Sequence, residues 1–174
     1  MAVSISCRCP LLSVSFFVRH TQRMASIESL IAGSEKLTRI YGGWPSFHDA
    51  EVVELHHWRG QMKPGSDWDD SNVMPVLTAK IHILIQSPTS QHTLATLRFE
   101  DVDDFRMEGF NHQNAIFELT ITVQERGTFS NGERLPPYLI VTFQAAFGMS
   151  ASFRCFRIEV VDAVRCTDEG KVYA

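Results

Sequence analysis

The 174-residue chain holds only four cysteines, Cys7, Cys9, Cys155 and Cys166. Neither spacing matches a zinc ribbon or a thioredoxin-type Cys-x-x-Cys. So few thiols in a chain of this length exclude a disulfide framework. Cys155 alternates with apolar neighbours and reads as a small buried hydrophobe. Membrane-length apolar runs are missing as well, since the run from Leu11 to Val18 is too short to cross a bilayer. Residues 1–23 imitate a signal peptide without meeting its pattern, because no early charge and no Ala-x-Ala site accompany that run. The chain has no glycine-rich phosphate loop, no Gly-x-Ser-x-Gly elbow, no His-Glu-x-x-His pair and no internal repeat, which removes the commonest catalytic fingerprints. Basic charge is scarce where it would matter. Arg8, Arg19 and Arg23 stand without an acid in residues 1–23, so the formal charge of -4 leaves -7 on residues 24–174. Such a body lacks the clustered Lys and Arg that a nucleic-acid backbone requires, and it suits a basic protein partner.

What remains is the pattern of one domain over residues 24–174, a length that supports a sizeable core. Met24 opens a clean helix start, so residues 1–23 are expected to be a disordered extension or the product of an upstream start. Ile27, Leu30, Ile31, Leu37 and Tyr41 fall at helical spacing, with Ser26 placed to cap the start and Gly42 to end the helix. Gly33 in the middle invites a break. From Ala50 the period becomes strand-like. The predicted strands run through Ala50–Arg59, Ala79–Ile85, Ala95–Phe99, Phe117–Val123, Leu139–Phe147 and the segment from Phe153 to Val160. The last one switches phase near Cys155, which predicts a β-bulge there. Between the first two strands, Asp67, Asp69 and Asp70 open a loop that lacks the glycine and glutamate of an EF-hand. The expectation is an α+β fold, an N-terminal helix packed on a mainly antiparallel sheet of about six strands. Its predicted core is Ile27, Leu30, Leu37, Phe99, Phe117, Leu119, Ile121, Val141, Phe143 and Ile158.

The densest concentration of chemically able side chains is Gly42 to Val52, Gly-Gly-Trp-Pro-Ser-Phe-His-Asp-Ala-Glu-Val. Glycines that take positive φ, followed by Pro45, lead the chain out of the helix and into a sheet. Trp44 and Phe47 ordinarily serve as core anchors, and His48 with Asp49 as a hydrogen-bonded pair closing a turn. Asp49 is expected to accept a hydrogen bond from His48 or a backbone N–H, and Glu51 to stay exposed. The functional alternative for His48, Asp49, Glu51 and His57 is a metal-dependent hydrolase. Strand alternation would put Glu51 and His57 on one face and His56 on the other, but His82, His92 and His112 are scattered, and no metal or cofactor is expected. Asn111 and Asn114 belong to an amide-rich turn after Gly109-Phe110. Glu100, Asp101, Asp103 and Asp104 form an acidic run, either a solvated face or a docking patch for a basic protein.

Taken together, Trp-Pro-Ser-Phe-His-Asp-Ala-Glu-Val after a short helix, Leu-Arg-Phe-Glu-Asp-Val, Gly-Phe-Asn-His-Gln-Asn and Phe-Gly-x-Ser-x-Ser-Phe-x-Cys resemble the bacterial Immunity protein 50 family over about residues 26–164. The resemblance implies a cytoplasmic antidote of a polymorphic toxin system. Such a protein binds a cognate toxin stoichiometrically and blocks it; the acidic body independently suits a basic toxin, and no turnover, cofactor, nucleic acid or membrane is expected. Trp44, Phe47, His48, Asp49, Glu51, Asn111 and Asn114 are its candidate toxin-binding or structural motif. A small-ligand or structural β-domain is the remaining alternative.

Overall fold

Strict alternation of apolar and polar residues sends every second side chain of a strand to the same side, and here it builds two facing sheets. The computed structural model describes residues 26–59, 74–84 and 91–172. Residues 1–23 and the loop carrying Asp67, Asp69 and Asp70 lie outside these. The described strands are β1 (Ile31–Ala32), β2 (Glu51–Trp58), β3 (Val76–Ile83), β4 (Thr93–Glu100), β5 (Asp103–Glu108), β6 (Ile116–Gln124), β7 (Tyr138–Ala145), β8 (Ser150–Cys155) and β9 (Arg157–Arg165), with one helix, α1 (Glu35–Tyr41). One sheet has the order β1-β9-β4-β3-β2 and the other β5-β8-β7-β6. Only the short β1–β9 pairing is parallel. Leu77, Ala79, Ile81 and Ile83 of β3 and Ala95, Leu97 and Phe99 of β4 point inward against Val141 and Phe143 of β7 and Phe153 of β8, all buried. Phe99 meets Phe153 edge-on at 4.9 Å and Phe143 at 6.2 Å between ring centroids, so the sheets share one core. Each such phenylalanine contributes about 2 to 3 kcal/mol by leaving water.

The two sheets are sewn together at two corners. At the first, β4 runs into β5 and β8 into β9, and the Phe156 N–H donates to the Glu100 carbonyl at 3.1 Å. The chain thereby leaves one sheet for the other. At the second, the start of β2 pairs with the start of β6: Ile116 N–H donates to Ala50 O at 2.8 Å, Asp49 N–H to Ile116 O at 2.9 Å and Val52 N–H to Asn114 O at 3.0 Å.

The α+β expectation holds only coarsely: the protein is mostly β, with nine described strands in two sheets rather than about six in one. The single long helix is not formed. Ile27–Leu30 is a 3-10 turn, and Gly33, at φ +69°, breaks the helix there, a position reserved to glycine because an added Cβ would lie 2.6 Å from the Val160 carbonyl. Beyond this break, α1 is a seven-residue helix ended by Gly42 in the left-handed region. It is tied to β9 by Lys36 Nζ, which donates to the Val160 and Val161 carbonyls at 2.9 and 2.8 Å. The phase switch at Cys155 is no bulge within a strand. Cys155 is buried in one sheet and Ile158 in the other, with the crossing at Phe156 between them.

Two expected core residues are exposed, Leu30 at 40% and Phe117 at 48%. Leu30 is carried outward by the 3-10 turn. Phe117 sits in a register shift between Ile116 and Glu118 against β7, so the extra residue turns it outward and Ile116 takes the core position. Ile27 and Ile121 pack on the core from partly buried positions. The remaining six, Leu37, Phe99, Leu119, Val141, Phe143 and Ile158, are buried.

Candidate functional site

The second corner gathers the segment Trp44–Val52, the turn 109–115 that precedes β6, and the β7–β8 turn around Gly148. Trp44 enters it with its N–H donating to Glu28 Oε1 at 2.9 Å, which holds the Glu28 carboxyl below its usual range. Its ring lies 5.4 Å from that of Phe47. Phe47 is fully buried although its φ is +56°, and Asp49 follows at φ +61°. Two left-handed residues in three fold the backbone back, so that the Phe47 carbonyl accepts from Ala50 N–H at 3.1 Å. His48 and Asp49 consequently face water as a pair, Nδ1 to Oδ2 2.9 Å, with side chains 53% and 64% exposed. The expected His48–Asp49 contact is present. The carboxylate is not buried, and an exposed pair of this kind adds less than about 1 kcal/mol.

The 109–115 turn is held from inside by Asn114, whose carboxamide is buried. Its Oδ1 accepts from Asn111 N–H at 2.8 Å, and its Nδ2 donates to Asn111 O at 2.8 Å and Val52 O at 3.4 Å. Asn111 is exposed and accepts from Gln113 N–H at 2.9 Å. Backbones pack so tightly here that a Cβ on Gly109 would stand 2.4 Å from Gly148 O, and one on Gly148 would stand 2.0 Å from Gln113 O. Ala146 and Phe147 both donate to Ala115 O, at 2.9 and 3.2 Å. The three segments therefore form a single rigid unit, with His48 touching the outward Phe117 ring at 5.2 Å.

The four residues proposed as hydrolase ligands are not brought together. A register shift between Val52 and Glu54 reverses the alternation of β2. Glu51 stands opposite His82 and His56 opposite Thr78, whereas His57 stands opposite the inward Leu77 and meets Phe105 at 4.6 Å. Glu51 thus shares its face with His56, the reverse of the alternation expected from sequence, and it is half-buried rather than exposed. Among the described residues, no group of three or more His, Cys, Asp or Glu is placed to hold a metal ion.

The acidic run is largely answered by arginines. Glu100 meets Arg98 at 3.1 Å and Arg157 at 3.7 Å, Asp104 meets Arg106 at 3.2 Å, and Asp103 pairs with Arg154. Asp101 bends the chain at φ +58°, and burial, aided by Glu100, raises its carboxyl above the usual range. The histidines expected to be scattered include one close pair, with Nε2 of His82 3.1 Å from Nδ1 of His92. The two meet because antiparallel pairing brings the end of β3 beside the start of β4, which sequence spacing alone does not reveal. Cys155 is buried, and its thiol is pushed up to about 12 by burial and by Asp101.

The geometry defines a two-sheet β domain whose best-organised surface is a loop corner locked by backbone hydrogen bonds. The Immunity protein 50 family matches residues 33–165, from Gly33 through the last residue of β9, and the chain belongs to that family. No curated protein and no solved structure matches it. Among the described residues no helix is long and apolar enough to cross a membrane.

Proposed function

We propose that the protein is an antidote that binds a cognate bacterial toxin stoichiometrically and blocks it, acting in the cytoplasm without turnover, metal or cofactor. Family membership over residues 33–165 carries this reading, because the family is one of immunity proteins. The acidic body supports a basic toxin as the partner, since opposite charge accelerates association. The hydrolase alternative is weaker, because His48 and Asp49 stand in the turn before β2 while Glu51 and His57 lie on opposite faces of that strand. The test is co-expression with the product of the neighbouring gene in a toxin-sensitive bacterial host. Restored growth together with a one-to-one complex on gel filtration is the expected outcome. A product that kills equally well with the protein present, and elutes apart from it, would overturn the reading.

A further inference from the structure

Of the four strongly exposed phenylalanines among the described residues, three share one corner. Phe110, Phe117 and Phe147 are 44%, 48% and 64% exposed, and all three belong to the locked second corner. Phe147 donates its N–H to Ala115 O, and Phe117 lies two residues beyond Ala115. Phe110 follows Gly109, which is pressed against Gly148. Large aromatic side chains left in water on a rigid backbone are the usual anchors of protein interfaces, because little ordering entropy remains to be lost on binding.

Charge at the same place is one-sided. Residues 40–58, 107–125 and 135–153, which supply the corner and its flanking strands, contain no lysine or arginine and six carboxylates. The rest of the chain holds the other 14 acidic residues against all 16 basic ones, so the net negative charge belongs to these three segments. Glu54 is answered by Lys80 at 2.5 Å, and Glu125 lies beyond the far end of β6. Asp49 and Glu51 remain beside the aromatics, together with Glu108 and Glu118, both exposed. The other strongly exposed phenylalanine, Phe129, sits in a different setting, on a hairpin where Thr128 pairs with Arg134.

We infer that this corner is the docking surface for the basic toxin, with Phe110, Phe117 and Phe147 as apolar anchors and Asp49, Glu51, Glu108 and Glu118 as the acidic rim. The inference rests on the antidote reading, which it narrows to one face and one sign of charge. The rim speeds encounter, and the anchors set how long the complex lasts.

The experiment measures association and dissociation of the full-length chain with the purified product of the neighbouring gene at low and high salt. Phe110→Ser, Phe117→Ser, Phe147→Ser and the double variant Glu108→Lys/Glu118→Lys are compared with Phe129→Ser, and thermal melts show that each variant folds. At least two of the three corner substitutions should weaken binding about tenfold or more, mainly through faster dissociation. The double variant should slow association, most strongly at low salt, while Phe129→Ser binds like wild type. If wild type binds and every folded corner variant binds equally well, the corner is wrong and the antidote reading stands. If wild type does not bind, the antidote reading falls and takes the surface with it. Sedimentation showing a dimer abolished by Phe147→Ser, with toxin binding unaffected, would assign the surface to a second copy of the chain and overturn the inference.

Discussion

Asn114 and Asn111 close a ring with each other: the buried carboxamide of Asn114 accepts from Asn111 N–H and donates to Asn111 O, both at 2.8 Å. The third bond, from Asn114 Nδ2 to Val52 O at 3.4 Å, ties that ring to β2, an edge strand of the other sheet. One side chain therefore couples turn, strand and corner.

Asn114→Ala removes the buried carboxamide that holds the Asn111 amide and carbonyl and reaches Val52 O. Such a loss costs about 1 to 3 kcal/mol. Chemical denaturation should show that decrease, whereas Asn111→Ala, at an exposed position, should change stability by less. Equal losses for the two variants would contradict the assignment of Asn114 as the interior tie.

Gly148 and Gly42 have nearly the same backbone angle, φ +74° and φ +78°, but different surroundings. A methyl on Gly42 meets nothing within 4 Å, while one on Gly148 meets a carbonyl oxygen at 2.0 Å. Gly42→Ala should therefore cost only the left-handed penalty of about 1 to 2 kcal/mol. Gly148→Ala adds a backbone clash, and about 3 kcal/mol or more in total is expected. The difference in denaturation midpoint between the two variants reads the clash directly.

Ile116 and Phe117 exchange the roles that simple alternation assigns them. Ile116→Ala should destabilise by about 2 to 5 kcal/mol through lost burial and a cavity, and Leu119→Ala by a similar amount. Phe117→Ala should cost less than about 1 kcal/mol, because the ring is half in water. A Phe117 effect as large as that of Ile116 would refute the bulge.

Acid should weaken the fold through His82. Burial, and next the His92 ring, lower its proton affinity in the folded state, while Glu51 and Asp168 oppose the shift. In the unfolded chain it returns to the ordinary value of about 6.5. Below that pH the unfolded state takes up a proton that the folded state resists. The stability contribution is thus fully present above about pH 6.5 and is lost as pH falls toward the folded-state value. Denaturation midpoints at neutral pH and near pH 5 should diverge more for wild type than for His82→Gln. Identical pH dependence in both would remove His82 as the cause.

Local chemistry determined a good part of this protein. Alternation in β3, β4 and β7 fixed which side chains face inward, because a strand has only two faces and water accepts only one of these sets. Gly42 at a helix end and a break at Gly33 arise from the cost of positive φ for residues with a Cβ. The His48–Asp49 contact needed only neighbours in a tight turn. Tertiary structure decided everything that depends on counting residues through an irregularity or on distant segments meeting. A single extra residue in β2 reverses the facing of the side chains beyond it, which put His57 on the face of Leu77, and another in β6 turned Phe117 itself outward while Leu119 and Ile121 kept the core side. The run from Phe153 to Val160 could not reveal that its phase switch was a passage between sheets, since one strand looks the same whichever sheet it pairs with. Nor could the acidic residues show which of them are free. Arginines from β4, β5, β8 and β9 neutralise most of the run Glu100–Asp104, and the uncompensated charge lies instead at a corner assembled from three segments far apart in the chain, because charge balance is set by distance in space.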